Sequence, residues 1–262
     1  MKNKTWQVYQ YILYLLRSFH LHGIHSPFVY HLNEKIFKEK AKFYAFDEVE
    51  SIRAKLLLTS KIIHVNDLGA GSQVNNSNKR SIQEIAKSAL KKPKKAQLLF
   101  RIVEHFRPQK ILELGTSLGI STAYMAKANP NAIIHTIEGS EEIAKIAAVN
   151  FKKLNVENIT QVVGHFNAVL SNSLEKLQKV NMCYVDGNHK KQPTLDYFHQ
   201  ILPYTNEQSI LIFDDIYWSR EMTEAWKLIQ QHQSVSITID LFEFGIVCFK
   251  GDQAKEHFTV YH

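Results

Sequence analysis

The chain has 262 residues, 45% hydrophobic and 22% charged, a composition that excludes whole-chain disorder and leaves room for one full-sized core plus an appendage. Lys and Arg exceed Asp and Glu by 32 − 25 = 7, yet the excess lies largely near Lys35–Lys42 and Lys91–Lys95, so nucleic acid is compatible with the charge without being favoured by it. The two cysteines, Cys183 and Cys248, stand in apolar segments and read as core residues of a reducing compartment, and neither a bilayer-spanning run nor a signal peptide is legible, so a cytoplasmic location is expected.

Residues 1–60 read as helical and rich in aromatics, interrupted by His22-Gly-Ile-His-Ser-Pro27, where Gly23 and Pro27 break the pattern. Trp6–Phe19 suits a helix docked on its own domain or on a second subunit better than a membrane-surface helix, which admits a homodimer through the N-terminal helices. Residues 61–95 hold a glycine-rich segment, Asp67-Leu-Gly-Ala-Gly-Ser72, then a polar stretch, a short helix around Ser81–Leu90 and a lysine cluster. From Ala96 onward helical and strand-like segments alternate: helix to Phe106, strand Lys110–Leu114, helix Ser121–Ala128, strand Ala132–Ile137, helix Glu141–Leu154, strand Ile159–Val163. The alternation continues through helix Ala168–Leu177, strand Met182–Val185, helix Thr194–Leu202, strand Ile210–Phe213 and helix Arg220–His232. Val235–Leu241 and Gly245–Lys250 lie close enough for a hairpin, which makes the last strand antiparallel. The expectation is an α/β fold, a Rossmann-like, doubly wound and mostly parallel sheet with an antiparallel C-terminal strand, carried by residues 96–262 behind a helical N-terminal extension, residues 1–95.

Two segments compete for a cofactor loop. Such a loop needs a buried strand before it, a helix after it and a carboxylate about 20 residues on for ribose hydroxyls. Ile111-Leu-Glu-Leu-Gly-Thr-Ser-Leu-Gly119 has all three, with Glu138 lying 19 residues beyond Gly119. Asp67–Ser72 matches the glycine pattern more closely, but the residues after it are polar and position 90 is Leu, so it reads as a surface turn or, less readily, a flap. At the real loop Ser117 replaces the glycine that would admit a pyrophosphate, and Glu113 places a carboxylate where a phosphate is repelled and a cationic ligand is suited.

At these residues the chain resembles the class I S-adenosylmethionine-dependent methyltransferases, over roughly residues 96–262. The resemblance implies S-adenosyl-L-methionine as cofactor, with Glu113, Gly115, Thr116, Ser117 and Gly119 around its methionine part and Glu138, with Gly139, at the ribose. Where that family often has an Asp for the adenine amino group, this chain has Gly164-His165-Phe166, so His165 and Phe166 are the residues that could cover the adenine. Asp186, in Val185-Asp-Gly-Asn-His-Lys190, and the pair Asp214-Asp215 resemble the acidic positions with which small-molecule O-methyltransferases of the catechol and caffeoyl-CoA type hold a divalent cation such as Mg2+. Against that stands a metal-free alternative in which Asp215 caps the next helix and Asp186 orders its loop. His189 falls where the catechol enzymes carry a lysine, and it or Lys190 is the candidate base that takes a proton from a small-molecule acceptor. His20, His22, His25 and His31 read as a hydrogen-bonded turn, and the family's N-terminal segments often cover the acceptor pocket. O-methylation of a small molecule is the favoured function. An RNA methyltransferase using the lysine clusters and a non-catalytic binding protein on the same fold are the alternatives.

Overall fold

The computed structural model describes residues 4–18, 25–65, 79–251 and 253–262. It divides into two compact units, one formed by residues 40–177 and one by residues 1–39 with 178–262. The boundary expected at Lys95/Ala96 therefore falls inside the first unit, within a helix that runs from Pro93 to Phe106.

The 40–177 unit begins with helix α3 (Tyr44–Leu58), the α1 and α2 labels belonging to the other unit. Strands β1 (Ile62–His64) and β2 (Lys79–Ser81) pair antiparallel. They flank residues 66–78, so Asp67–Ser72 lies outside the described residues, and the first element to follow it is a strand. Helix α4 (Ile82–Ala89) starts on a reciprocal cap: Ser81 Oγ accepts from the Glu84 amide at 3.2 Å and the Glu84 carboxylate accepts from the Ser81 amide at 2.9 Å. Helix α5 (Pro93–Phe106) starts with proline, whose missing N–H is no loss at a helix start, and ends on Arg107 in the left-handed region.

Then come β3 (Lys110–Leu114), α6 (Ile120–Ala128), β4 (Ile133–Glu138), α7 (Glu141–Lys153), β5 (Ile159–Val163) and α8 (Phe166–Leu177). The three strands pair parallel in the order β3-β4-β5. Ile111, Leu112 and Leu114 are fully buried, as a parallel strand covered on both faces requires. On the helical side Tyr124 donates to Glu50 at 2.9 Å, and Phe43, Phe46 and Phe100 cluster with it.

In the other unit, α1 (Lys4–Arg17) buries Gln10 and Tyr14, whose hydroxyl donates to the Val260 carbonyl at 2.6 Å, while Val8, Ile12, Leu15 and Leu16 stay exposed. Helix α2 (Pro27–Leu32) passes into a π-helical turn, residues 33–37. The chain returns as β6 (Met182–Val185), α9 (Lys191–Ile201), β7 (Ile210–Asp214), α10 (Arg220–Gln231), β8 (Ile237–Asp240), β9 (Phe244–Cys248) and β10 (Glu256–Thr259). β6 and β7 are parallel, β9 runs antiparallel to both β7 and β8, and β10 joins β8 in parallel. The expected hairpin is present as β8 and β9, whereas β10 went unforeseen because Lys255, Glu256 and His257 mask its one buried apolar residue, Phe258. Gly245 lets α10 close on β9, since a Cβ there would lie 2.7 Å from the Trp226 ring. Cys183 and Cys248 are free and buried, and burial pushes the Cys248 thiol up to about 12. No helix among the described residues is long and apolar enough to cross a membrane.

Candidate functional site

The loop between β3 and α6 turns through the left-handed region three times, at Gly115 (φ 106°), Ser117 (φ 47°) and Gly119 (φ 83°). A serine in that region is uncommon and persists where its surroundings fix it. Here Glu138 does so: one carboxylate oxygen accepts the Ser117 amide at 2.8 Å and the other the Ser140 amide at 2.9 Å. The Gly115 and Thr116 amides donate to the Ile137 carbonyl and the Gly119 amide to the Thr116 carbonyl. Four loop amides are thus taken inside the protein, the reverse of a loop that cradles phosphate. Gly119 also lets α7 approach, because a Cβ there would stand 2.5 Å from the Phe151 ring.

Glu113 does not lie on the loop's surface. It is 0% exposed and accepts from Ser121 Oγ at 2.6 Å, Thr122 Oγ1 at 2.5 Å and Thr136 Oγ1 at 2.7 Å. Thr116, also buried, bonds Thr136 Oγ1 at 2.6 Å; as the Thr136 proton goes to Glu113, Thr116 is the donor. Glu113 and Thr116 therefore order the loop and the start of α6 from within. Two residues show the opposite condition. The hydroxyls of Ser117 and Ser140, on either side of Glu138 in space, are buried and have no hydrogen-bond partner. Sequence reasoning did not single out Ser140; a serine two residues beyond Glu138 was the available signal. His165 Nδ1 accepts the Asn167 amide at 3.3 Å and so caps α8, and the half-buried Phe166 is that helix's first residue.

A second cluster belongs to the 1–39/178–262 unit. Tyr184 OH lies 3.1 Å from Asp186 Oδ2 and 3.1 Å from Asp214 Oδ2, one proton facing two carboxylates. Asp214 is 1% exposed, and its other oxygen accepts the Asp215 amide at 2.9 Å. His189 Nε2 lies 3.6 Å from Asp186 Oδ1 and 4.0 Å from Asp215 Oδ2, with its ring 5.7 Å from that of Trp218. Two non-glycine residues with positive φ shape the site, Asn188 (52°), which donates to Tyr197 OH at 3.1 Å, and Asp215 (52°). Lys190 is exposed at the start of α9. The expectation that Asp215 caps α10 is corrected: Ser219 does, accepting the Met222 amide at 3.1 Å, because the chain makes a further turn from Asp215 to Trp218 first.

Among the described residues no three His, Cys, Asp or Glu side chains are grouped to hold a metal ion, Asp186, Asp214 and Asp215 included. Tyr184 OH stands between Asp186 and Asp214, His189 between Asp186 and Asp215, and Asp214 faces inward. His20 and His22 lie outside the described residues, and His25 and His31 join no such group.

A family model described as a methyltransferase domain matches residues 112–216, from β3 to just past β7. Among solved structures, an O-methyltransferase from Bacillus cereus in complex with SAH matches with a TM-score of 0.56 at 16% identity, covering 83% of this chain and 95% of that one. TomG, an O-methyltransferase of Streptomyces achromogenes involved in tomaymycin synthesis and crystallised with SAM, gives 0.57 at 16% identity, with 85% and 95% covered. A putative caffeoyl-CoA O-methyltransferase from Staphylococcus aureus gives 0.54 at 17%, with 64% and 88% covered. The chain has the Rossmann-like fold of these structures, a mostly parallel sheet whose antiparallel strand is β9, while the last strand, β10, returns to the parallel direction beside β8 instead of ending the sheet antiparallel as expected.

Proposed function

We propose that this chain is an S-adenosylmethionine-dependent methyltransferase that methylates an oxygen of a small molecule. The observation that carries the reading is the condition of the loop after β3. Its amides are taken up internally, while a half-buried carboxylate, Glu138, accepts the amides of Ser117 and Ser140, whose own hydroxyls are left unpaired. Ribose hydroxyls donate to a carboxylate and accept from serine, so this set fits a nucleoside and disfavours a phosphate. Bound there, S-adenosylmethionine supplies an activated methyl group.

Glu138, Ser117 and Ser140 hold the ribose, Gly115 and Gly119 give the loop its close-approach shape, and His165 and Phe166 flank the adenine. His189 is the general base, taking the acceptor hydroxyl's proton; Asp186 and Asp215 orient its imidazole, and Tyr184 fixes Asp186. Gln7 of α1 donates to the Trp218 carbonyl at 3.3 Å, which ties the N-terminal helix to the loop that carries Asp215 and supports a covering role for that helix. The O-methyltransferases among the similar structures support the choice of oxygen. Two measurements test the reading. Calorimetry with S-adenosylhomocysteine is expected to show one-site binding that Glu138→Ala removes, and mass spectrometry is expected to find a 14 Da gain on a catechol-type acceptor. Absence of S-adenosylhomocysteine binding by the wild-type chain overturns it.

A further inference from the structure

Helix α1 is turned the wrong way round for a surface helix of a lone chain. It buries Gln10 and Tyr14 against the rest of its unit and presents Val8, Tyr9, Tyr11, Ile12, Leu15 and Leu16 to solvent, each 42–78% exposed. Val8, Ile12 and Leu16 stand four residues apart and form one row along the helix, with Leu15 beside them. Tyr9 and Tyr11 edge the row, their rings braced 5.9 Å from that of Trp6 and 4.9 Å from that of Phe242. Between Lys4 and Arg17 the helix carries no charged residue. At those exposures the six residues offer about 700 Å² to solvent, more than the roughly 300–600 Å² of the largest apolar patch on a typical monomer.

Area and charge both point to a second copy of the chain. Buried between two copies, the face removes about 1,400 Å² from water, inside the roughly 1,200–2,000 Å² of a stable interface. The chain carries a formal net charge of +7, so two copies are opposed at long range, and the contact that can hold them together is one without charge. Tyrosines beside aliphatic side chains are what the core of such a contact is made of. A lipid surface is served less well: helices that lie in the membrane interface set Lys and Arg along their polar side, whereas α1 has Gln7 and Gln10 there, and the protein itself takes up that side. We propose that α1 pairs with the α1 of a second copy about a two-fold axis, forming a homodimer in which the two helices run antiparallel, Ile12 against the partner's Ile12 and Val8 against the partner's Leu16.

Sedimentation velocity of the full chain from about 1 to 100 µM tests this, since a dimer is concentration-dependent. The wild-type chain is expected to reach twice 30.3 kDa at the upper concentration. Ile12→Glu and Leu16→Glu, each forcing a carboxylate into the contact, are expected to raise the dimer dissociation constant by about 30-fold or more. Both residues are exposed in the single copy, so the variants are expected to fold and to melt like dilute wild type. Val149→Glu, on a residue of α7 that is as exposed as Ile12, is the control and is expected to dimerise as wild type does. Both native cysteines are buried, so Ile12→Cys is expected to be linked into covalent dimers by a short bismaleimide and Val149→Cys is not. The proposal is overturned if the wild-type chain stays monomeric, if the Ile12 and Leu16 variants dimerise like it, if Val149→Glu disrupts the dimer equally, or if the two cysteine variants link equally. It is overturned also if phosphatidylglycerol vesicles take up wild type but not Leu16→Glu while no dimer forms.

Discussion

The loop after β3 and the loop after β7 begin alike and finish differently. Each follows a buried strand with a buried acid at or beside its end, Glu113 one residue before the end of β3 and Asp214 at the end of β7. Each contains a non-glycine residue with positive φ, Ser117 and Asp215. Glu113, however, is supplied by three hydroxyls, whereas Asp214 shares a single tyrosine proton with Asp186 and takes one backbone amide. The loop after β3 is thus held from within, and the hydroxyls left unpaired around Glu138 are the buried ones of Ser117 and, after β4, Ser140. The loops after β6 and β7 are built of acids that share donors, next to an imidazole that can exchange a proton. On the proposed reading, binding falls to the first region and proton transfer to the second, and variants that disturb one without the other test that division.

The largest effect is expected at His189. His189→Ala should reduce methyl transfer about 10²–10⁴-fold, the usual range for a general base, while S-adenosylhomocysteine affinity and melting temperature stay near wild type. Loss of cofactor affinity in that variant would erase the separation between the two regions. Glu113→Ala should do the converse. It leaves three buried hydroxyls without their acceptor and should cost about 3 kcal/mol of stability in denaturant melts, with cofactor binding weakened as the loop loosens. A Glu113 variant of wild-type stability would show that the carboxylate does not order the loop.

How much of this was legible in the sequence follows from which interactions are local. The β3 strand, its loop and Glu138 could be read because a buried parallel strand, a glycine turn and an acid at fixed spacing are all properties of short segments. The same reading set aside Asp67–Ser72 for its polar sequel; that segment lies outside the described residues, between strands β1 and β2. Glu113 was assigned to the ligand because a one-dimensional pattern shows an acid beside the loop but not Thr136, 23 residues on, whose hydroxyl turns it inward. The bridge between the acids after β6 and β7 was hidden for a similar reason: Tyr184 reads as an ordinary apolar strand position, and its contact with both Asp186 and Asp214 depends on the β6–β7 pairing. Which side of α1 is docked was beyond reach altogether, since it depends on Tyr14 meeting Val260, 246 positions later.

A third strand-end acid, Asp240 on β8, sharpens the comparison through pH. Burial raises its carboxyl from 3.8 to about 6, against the hydrogen bonds from Tyr217 and Phe242 and the charge of Arg17, which act to lower it. The folded state then holds a proton that the unfolded state releases, so this group's contribution to stability is greatest below pH 3.8 and is lost as pH rises to about 6. Asp240→Asn removes the cost of burying the charge. It is expected to stabilise the chain by about 2 kcal/mol at pH 8 and by little at pH 4, read as the difference in melting temperature between the two. Equal shifts at both pH values would mean that the effect is one of packing.

The smallest effect is the most discriminating. Ser117 Oγ is buried and unpaired, so Ser117→Ala removes no hydrogen bond within the protein and leaves the left-handed backbone to be held, as before, by the Glu138 carboxylate on the amide. Melting temperature should change little. S-adenosylhomocysteine should bind less tightly by about 1 kcal/mol, near fivefold, because the hydroxyl finds its partner only on the ligand. Ser219 offers the matched control in the other region: its hydroxyl already caps α10 through the Met222 amide, so Ser219→Ala should lower stability by about 1 kcal/mol and leave cofactor affinity alone. If the two alanine variants behave alike, then the loop after β3 is not set apart by an interaction reserved for a ligand, and the distinction between a binding loop and a structural one fails at the residue where it is most exposed to test.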